Sequence, residues 1–155
     1  MNTPQEIRDL AKERLSEAKI LYDNGKFNGA FYLAGYSVEL MLKATICERI
    51  GIPNLLETNE REQFVNQESS VSDVRKAVKT HNLWTLLMFS GLKEQFGNDK
   101  STNKNLQKVN SVLLASWSEN ARYKPCGHFV DKDVKEMIDL LSGKGGFLEW
   151  IEKRS

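Results

Sequence analysis

Apolar positions in the first third of the chain recur at steps of three and four residues, the period of an α-helix. Ile7, Leu10, Ala11, Leu15, Ala18, Leu21 and Tyr22 mark one face of a first helix. Thr3-Pro4-Gln5-Glu6 signals its start: Thr3 can cap it, Pro4 suits the first helical position, and Glu6 can complete a capping box. Asp23-Asn24-Gly25 ends it, and Gly25 suits the left-handed backbone of a helix C-terminus. So short a link predicts an antiparallel hairpin with the next helix. That second helix, Lys26 to Gly51, is the stretch around which the rest is organised. Phe27, Ala30, Phe31, Ala34, Val38, Met41, Leu42 and Thr45 follow helical steps, while Leu33, Leu40, Ile46 and Cys47 lie on other sides. A helix apolar over most of its surface is expected at the centre of a bundle. Gly29 and Gly35 interrupt it, each costing about 1 kcal/mol against Ala. The close approach of another backbone would account for that cost.

Gly51-Ile52-Pro53 stops the second helix. Residues 54–72 are polar and weakly periodic, which predicts a long connection with one helical turn near Glu60 to Val65. A further helix can start at Ser72-Asp73, and the run from His81 to Phe89 is apolar enough to be buried. After a turn-rich stretch from Gly97, Thr102 or Asn103 opens a helix that runs to Pro125, with Leu106, Val109, Leu113 and Trp117 buried. At 100° per residue, Ser111, Ala115, Ser118 and Arg122 share another face of it, small enough for a neighbouring helix to come close. Asp131 can cap a last long helix with Val134, Met137, Ile138 and Leu141 inward, and residues 146–154 form a short terminal helix. The expectation is an all-α, up-and-down bundle of about five helices, forming a single domain over residues 1–155.

Composition narrows the function classes. The 155 residues are 40% hydrophobic and 28% charged, which suits one soluble domain with a real core. The net charge of +1 gives no strong overall field to attract nucleic acid or an anionic membrane, so nucleic-acid binding would need a local patch or a dimer groove. No apolar run approaches the roughly 18 residues of a membrane span, and the N-terminus lacks the apolar core of a secretion signal. Two cysteines without framework spacing, Cys47 and Cys126, fit a reducing cytoplasm.

Few residues can carry chemistry. Glu39 and Lys43 stand four apart on the second helix, either as an ordinary ion pair or with Glu39 fixing the guanidinium of Arg122. Arg122 and His128, with Asn120 and Tyr123 beside the arginine, could converge on one phosphate: arginine grips phosphate oxygens in a fork and histidine moves protons near neutral pH. The reading that spacing alone favours is plainer: an exposed loop histidine and an arginine paired to Glu39. Cys126 and His128 lack further ligands at metal spacing, so no metal or other cofactor is expected. His81 precedes an apolar run and is expected as a cap or a satisfied core group. Trp84, Trp117 and Trp150 are expected to pack rather than to stack on bases.

The pattern Gly25-x-Phe27-x-x-Ala30-x-Tyr32-x-Ala34-x-x-x-Val38-Glu39-x-x-Leu42-Lys43-Ala44 resembles the second helix of HEPN domains. His81-Asn82-Leu83 with Leu86-Leu87 is similar to that family's His-x-Leu segment, and Ala121-Arg122-Tyr123 to its C-terminal part. The resemblance covers most of residues 5–142. It implies a small helical bundle that dimerises, found in prokaryotic toxin–antitoxin, defence and nucleotidyltransferase-associated systems. Its active members are metal-independent ribonucleases with an arginine followed four to six residues later by a histidine, a spacing that Arg122 and His128 fit. Members with the Ala-Arg-Tyr form serve as partner or nucleotide-binding modules. The resemblance therefore implies a nucleotide- or RNA-associated module acting with a partner nucleotidyltransferase or antitoxin, with a metal-independent endoribonuclease as the alternative. A purely structural interaction bundle remains the third possibility, because fold does not fix function.

Overall fold

The computed structural model describes residues 3–54, 56 and 68–155. Its described residues are helical without a strand, in eight α-helices rather than about five. The helical turn expected near residues 60–65 lies outside the described residues.

Helix α1 spans Pro4–Asp23 and opens on a complete capping box, in which Thr3 Oγ1 accepts from the Glu6 backbone N–H and Glu6 Oε2 accepts from that of Thr3, both at 3.2 Å. Helix α2 spans Phe27–Ile50 and ends at Gly51, whose φ of 70° gives the left-handed C-cap. The two pack as a hairpin, and α2 also meets α4, α7, α8 and the 3-10 helix defined below. Its central place follows from its sequence: buried side chains from Ala30 to Cys47 cover all its sides. A Cβ at Gly35 would collide with the indole of Trp117, and one at Gly29 would lie 3.2 Å from Leu21 Cδ1. The close neighbours at these glycines are side chains, not the backbone that the sequence suggested.

Helix α3 spans Glu68–Val78, so the last residues of the expected 54–72 connection are helical. The chain then breaks, and Asn82 caps α4, Leu83–Phe89, by accepting from the Thr85 N–H at 3.0 Å. Gly91, with φ of 75°, separates α4 from α5, Lys93–Lys100. Such breaks within apolar stretches raise the helix count. Helix α6, Lys104–Lys108, is followed by a π-helical segment, Val109–Leu114, and a separate 3-10 helix, Glu119–Tyr123. Helices α7, Asp131–Leu141, and α8, Phe147–Lys153, close the fold. Asp131 does not cap α7; its Oδ1 accepts from the Tyr22 hydroxyl at 2.6 Å.

The single helix expected from residue 102 to Pro125 is therefore corrected. Its apolar stripe is buried as expected, at Leu106, Val109, Leu113 and Trp117. Its backbone loosens because Ala115 N–H bonds five residues back to Asn110, and the Ser116 hydroxyl bonds back to the Val112 carbonyl. Ser118 is then fully extended, at φ −145° and ψ 164°. Past Trp117 the 100° rule no longer applies, so Ser111, Ala115, Ser118 and Arg122 do not form one continuous helix face. The buried apolar side chains from Ile7 to Ile151 join in one core cluster, with Trp117 laid against α2.

Candidate functional site

The site starts from two charges on the helix least suited to hold them. Glu39 and Lys43 are one turn apart on α2, with only 2% and 8% of their side chains exposed, and Lys43 Nζ donates to Glu39 Oε1 at 2.7 Å. A buried carboxylate needs donors for its remaining lone pairs. The connection before α4 supplies them: His81 Nδ1 lies 3.0 Å from both oxygens of Glu39. Its other ring nitrogen, Nε2, lies 3.0 Å from Glu119 Oε2, at the start of the 3-10 helix. Ionised carboxylates only accept, so both contacts are hydrogen bonds when the ring carries both protons.

Arg122 follows one turn on. Its Nη2 lies 3.9 Å from the same Glu119 oxygen, and 43% of its side chain is exposed. The guanidinium stands 4.9 Å from the centre of the Tyr123 ring. Its pKa is raised above the ordinary arginine value, chiefly by the neighbouring Tyr32 hydroxyl. Tyr32 stacks between Tyr36 and Trp117 at 6.1 and 6.2 Å. Burial pushes the Tyr36 hydroxyl pKa up, and the charge of Glu39 adds to it. An open groove of about 260 Å³ has His81, Asn82, Trp84, Ser118, Glu119 and Asn120 on its walls; Arg122 and these tyrosines do not line it.

His128 has other neighbours. Its ring stands edge-on to Phe129 at 4.7 Å, and Phe129 stacks on Phe31 at 3.9 Å. Asn28, in the first turn of α2, fastens this segment: its amide donates to Pro125 O at 2.9 Å and its oxygen accepts from Phe129 N–H at 3.1 Å. Gly127, at φ 77°, supplies the turn. Among the described residues, no hydrogen bond or ion pair joins Arg122 to His128.

The structure thus brings together Glu39, Lys43, His81, Glu119 and Arg122, with Asn120 at the groove. Glu39 meets Lys43 as expected but meets His81 where Arg122 was favoured. The break after Trp117 carries Arg122 outward, so that it meets Glu119 instead. Sequence reasoning expected His81 as a cap or a satisfied core group; Asn82 is the cap, and His81 is half-exposed with one nitrogen on Glu39. It missed Glu119 and Asn28. The signal for His81 was present: an acid on an all-apolar helix needs buried donors, and only one lysine lay in reach. Glu119 stands three residues before Arg122, a helical pairing distance, so that contact was open to a local reading; nothing in the spacing pointed to its contact with His81 or to Asn28. Among the described residues, no group of three or more His, Cys, Asp or Glu is placed to hold a metal ion, and no helix is long and apolar enough to cross a membrane.

The family model of the HEPN domain matches residues 5–60, which hold α1, α2 and the chain just after them. The HEPN resemblance is shown over that stretch, and it supports a nucleotide- or RNA-associated module in general terms. No curated protein and no solved structure matches the chain.

Proposed function

We propose, from the HEPN match, that the chain is a nucleotide- or RNA-binding module of a prokaryotic defence or toxin–antitoxin type system. In this reading it is cytoplasmic, works as a homodimer, and acts with a partner nucleotidyltransferase or antitoxin. One observation carries the binding role. Arg122 is exposed and lies over the Tyr123 ring, one turn from Glu119 on the wall of the groove, instead of being consumed by the buried acid Glu39. An arginine kept exposed and oriented is suited to a phosphate oxygen pair. The structural-bundle reading would instead have Arg122 buried against Glu39 with no groove beside it. The exposed aromatic Tyr123, 73% accessible and in contact with the arginine, offers apolar surface for a second copy.

The second reading, a metal-independent endoribonuclease, is favoured by the exposure of both Arg122 and His128 at the motif spacing. There a ribose 2′-oxygen would attack the adjacent phosphorus, losing its proton to a base while the bond to the 5′-oxygen breaks and that oxygen gains a proton. The test for both is fluorescence anisotropy and gel analysis of a labelled structured RNA, with chelator present. The binding module predicts association that falls with Arg122→Ala and persists with His128→Ala. The nuclease predicts cleavage lost with either variant, and a DNA copy left intact.

A further inference from the structure

A histidine nitrogen and an arginine nitrogen converge on one carboxylate oxygen. His81 Nε2 lies 3.0 Å and Arg122 Nη2 3.9 Å from Glu119 Oε2. All three side chains are reachable by solvent, at 42%, 43% and 37% exposure. His81 cannot turn away freely, because the buried Glu39 holds its other nitrogen and Lys43 holds Glu39. The Arg122 guanidinium lies against the Tyr123 ring, 4.9 Å from its centre. Glu119 has no anchor like that of His81: its partners are these two side chains, and it sits on a short 3-10 helix entered through an extended residue. The 3.9 Å separation is too long for a hydrogen bond. A histidine held from behind and an arginine therefore face one carboxylate that lies within hydrogen-bonding distance of the histidine alone.

We infer that His81 and Arg122 form a subsite for a phosphate group, which the chain's own Glu119 carboxylate fills as an internal stand-in. A phosphate carries several acceptor oxygens around a tetrahedral centre and spans a wider gap between donors than one carboxylate oxygen does. The Glu119 contacts are weak competitors, since exposed ion pairs contribute little in water. The adjoining groove, with Asn82, Trp84 and Asn120 on its walls, leaves room for the nucleoside that such a phosphate would carry. The inference rests on the nucleotide- or RNA-binding reading and adds His81 as a ligand contact and Glu119 as its gate.

The chain has only two histidines, so the ring C–H signals of His81 and His128 can be assigned by NMR with the single variant His128→Ala. Inorganic phosphate, adenosine monophosphate, a dinucleotide with one internal phosphodiester, and acetate are titrated into wild type, Glu119→Gln, Glu119→Gln/Arg122→Ala and Glu94→Gln. The expected result is a His81 signal that saturates at about fivefold lower phosphate in Glu119→Gln than in wild type, the factor matching loss of one exposed ion pair. That gain should vanish when Arg122→Ala is added, and acetate should bind more weakly than phosphate. The monoester and diester arms show whether a mononucleotide or an RNA chain supplies the group. An equal gain in Glu94→Gln, which removes an exposed acid on α5, would reduce the effect to net charge and overturn the inference. So would a His81 signal that no phosphate compound moves, or acetate binding as well as phosphate. If Arg122-dependent RNA binding survives those outcomes, the binding module stands and only this subsite falls.

Discussion

Glu39 and Lys43 are almost wholly enclosed within α2, whereas Arg122 and His128 lie in the exposed chain that follows Trp117. The first pair is a condition of the fold, since a charge in that core exists only because its partners are there. The second pair is cheap to alter, because water replaces what is lost. His81 spans the difference, with one nitrogen on the buried acid and the other on Glu119 at the surface. Stability should report on the inner cluster and binding on the outer one, and His81 should report on both.

The largest stability effect is expected for Lys43→Met. Removing one partner of a buried pair leaves an uncompensated charge and costs about 3–5 kcal/mol. His81 still faces Glu39, so the lower end of that range is expected in urea unfolding. Glu39→Gln should also destabilise, by stranding Lys43, and changing both residues to apolar ones of similar size should recover much of the loss. Equal, negligible effects of both single changes would break the comparison at its inner end.

Gly35→Ala comes next. The methyl would meet the Trp117 indole, and overpacking of this kind costs about 1–3 kcal/mol, against a gain of about 1 kcal/mol in helix propensity. The near-ultraviolet circular dichroism of the tryptophans should change with it. A stabilised variant with unchanged tryptophan signals would show that the indole moves aside freely. Asn28→Ala should cost less, about 1 kcal/mol for its hydrogen bonds to the 124–129 segment. Its clearer mark should be faster amide exchange at Phe129.

A pH effect sharpens the same contrast. The Tyr36 pKa is raised in the folded protein, mainly by burial. Its neutral form is therefore the one the fold favours. That contribution is fully present below the unfolded tyrosine value of about 10 and is lost as pH rises through the higher folded value. Stability should fall above roughly pH 10, and Tyr36→Phe should flatten part of that fall in alkaline urea titrations.

The first two helices were legible because their signals are local. The Thr3 capping box, the Asn24-Gly25 stop and the apolar spread of α2 each depend on residues a few places apart. The segment from 102 to 125 was misread because its apolar spacing is helical while its hydroxyls and Trp117 act against a regular helix. Ser116 bonds back to a carbonyl, and the indole fills the space over Gly35. Spacing records which residues are buried, and here that part held. The site was half legible for a related reason. Glu39, Lys43 and Arg122 stood out as residue types, but the contacts that join His81 to Glu39 and to Glu119 span dozens of residues and leave no periodic trace.

The central claim is that Arg122 serves a ligand and not the fold. Wild type and Arg122→Ala should be compared directly, by urea unfolding and by anisotropy with a labelled structured RNA at low salt and with chelator present. The account predicts stability unchanged to within about 0.5 kcal/mol and RNA binding weakened at least about tenfold, the loss of one charge-assisted phosphate contact. A variant that unfolds early, or one that binds RNA as tightly as wild type, would contradict it.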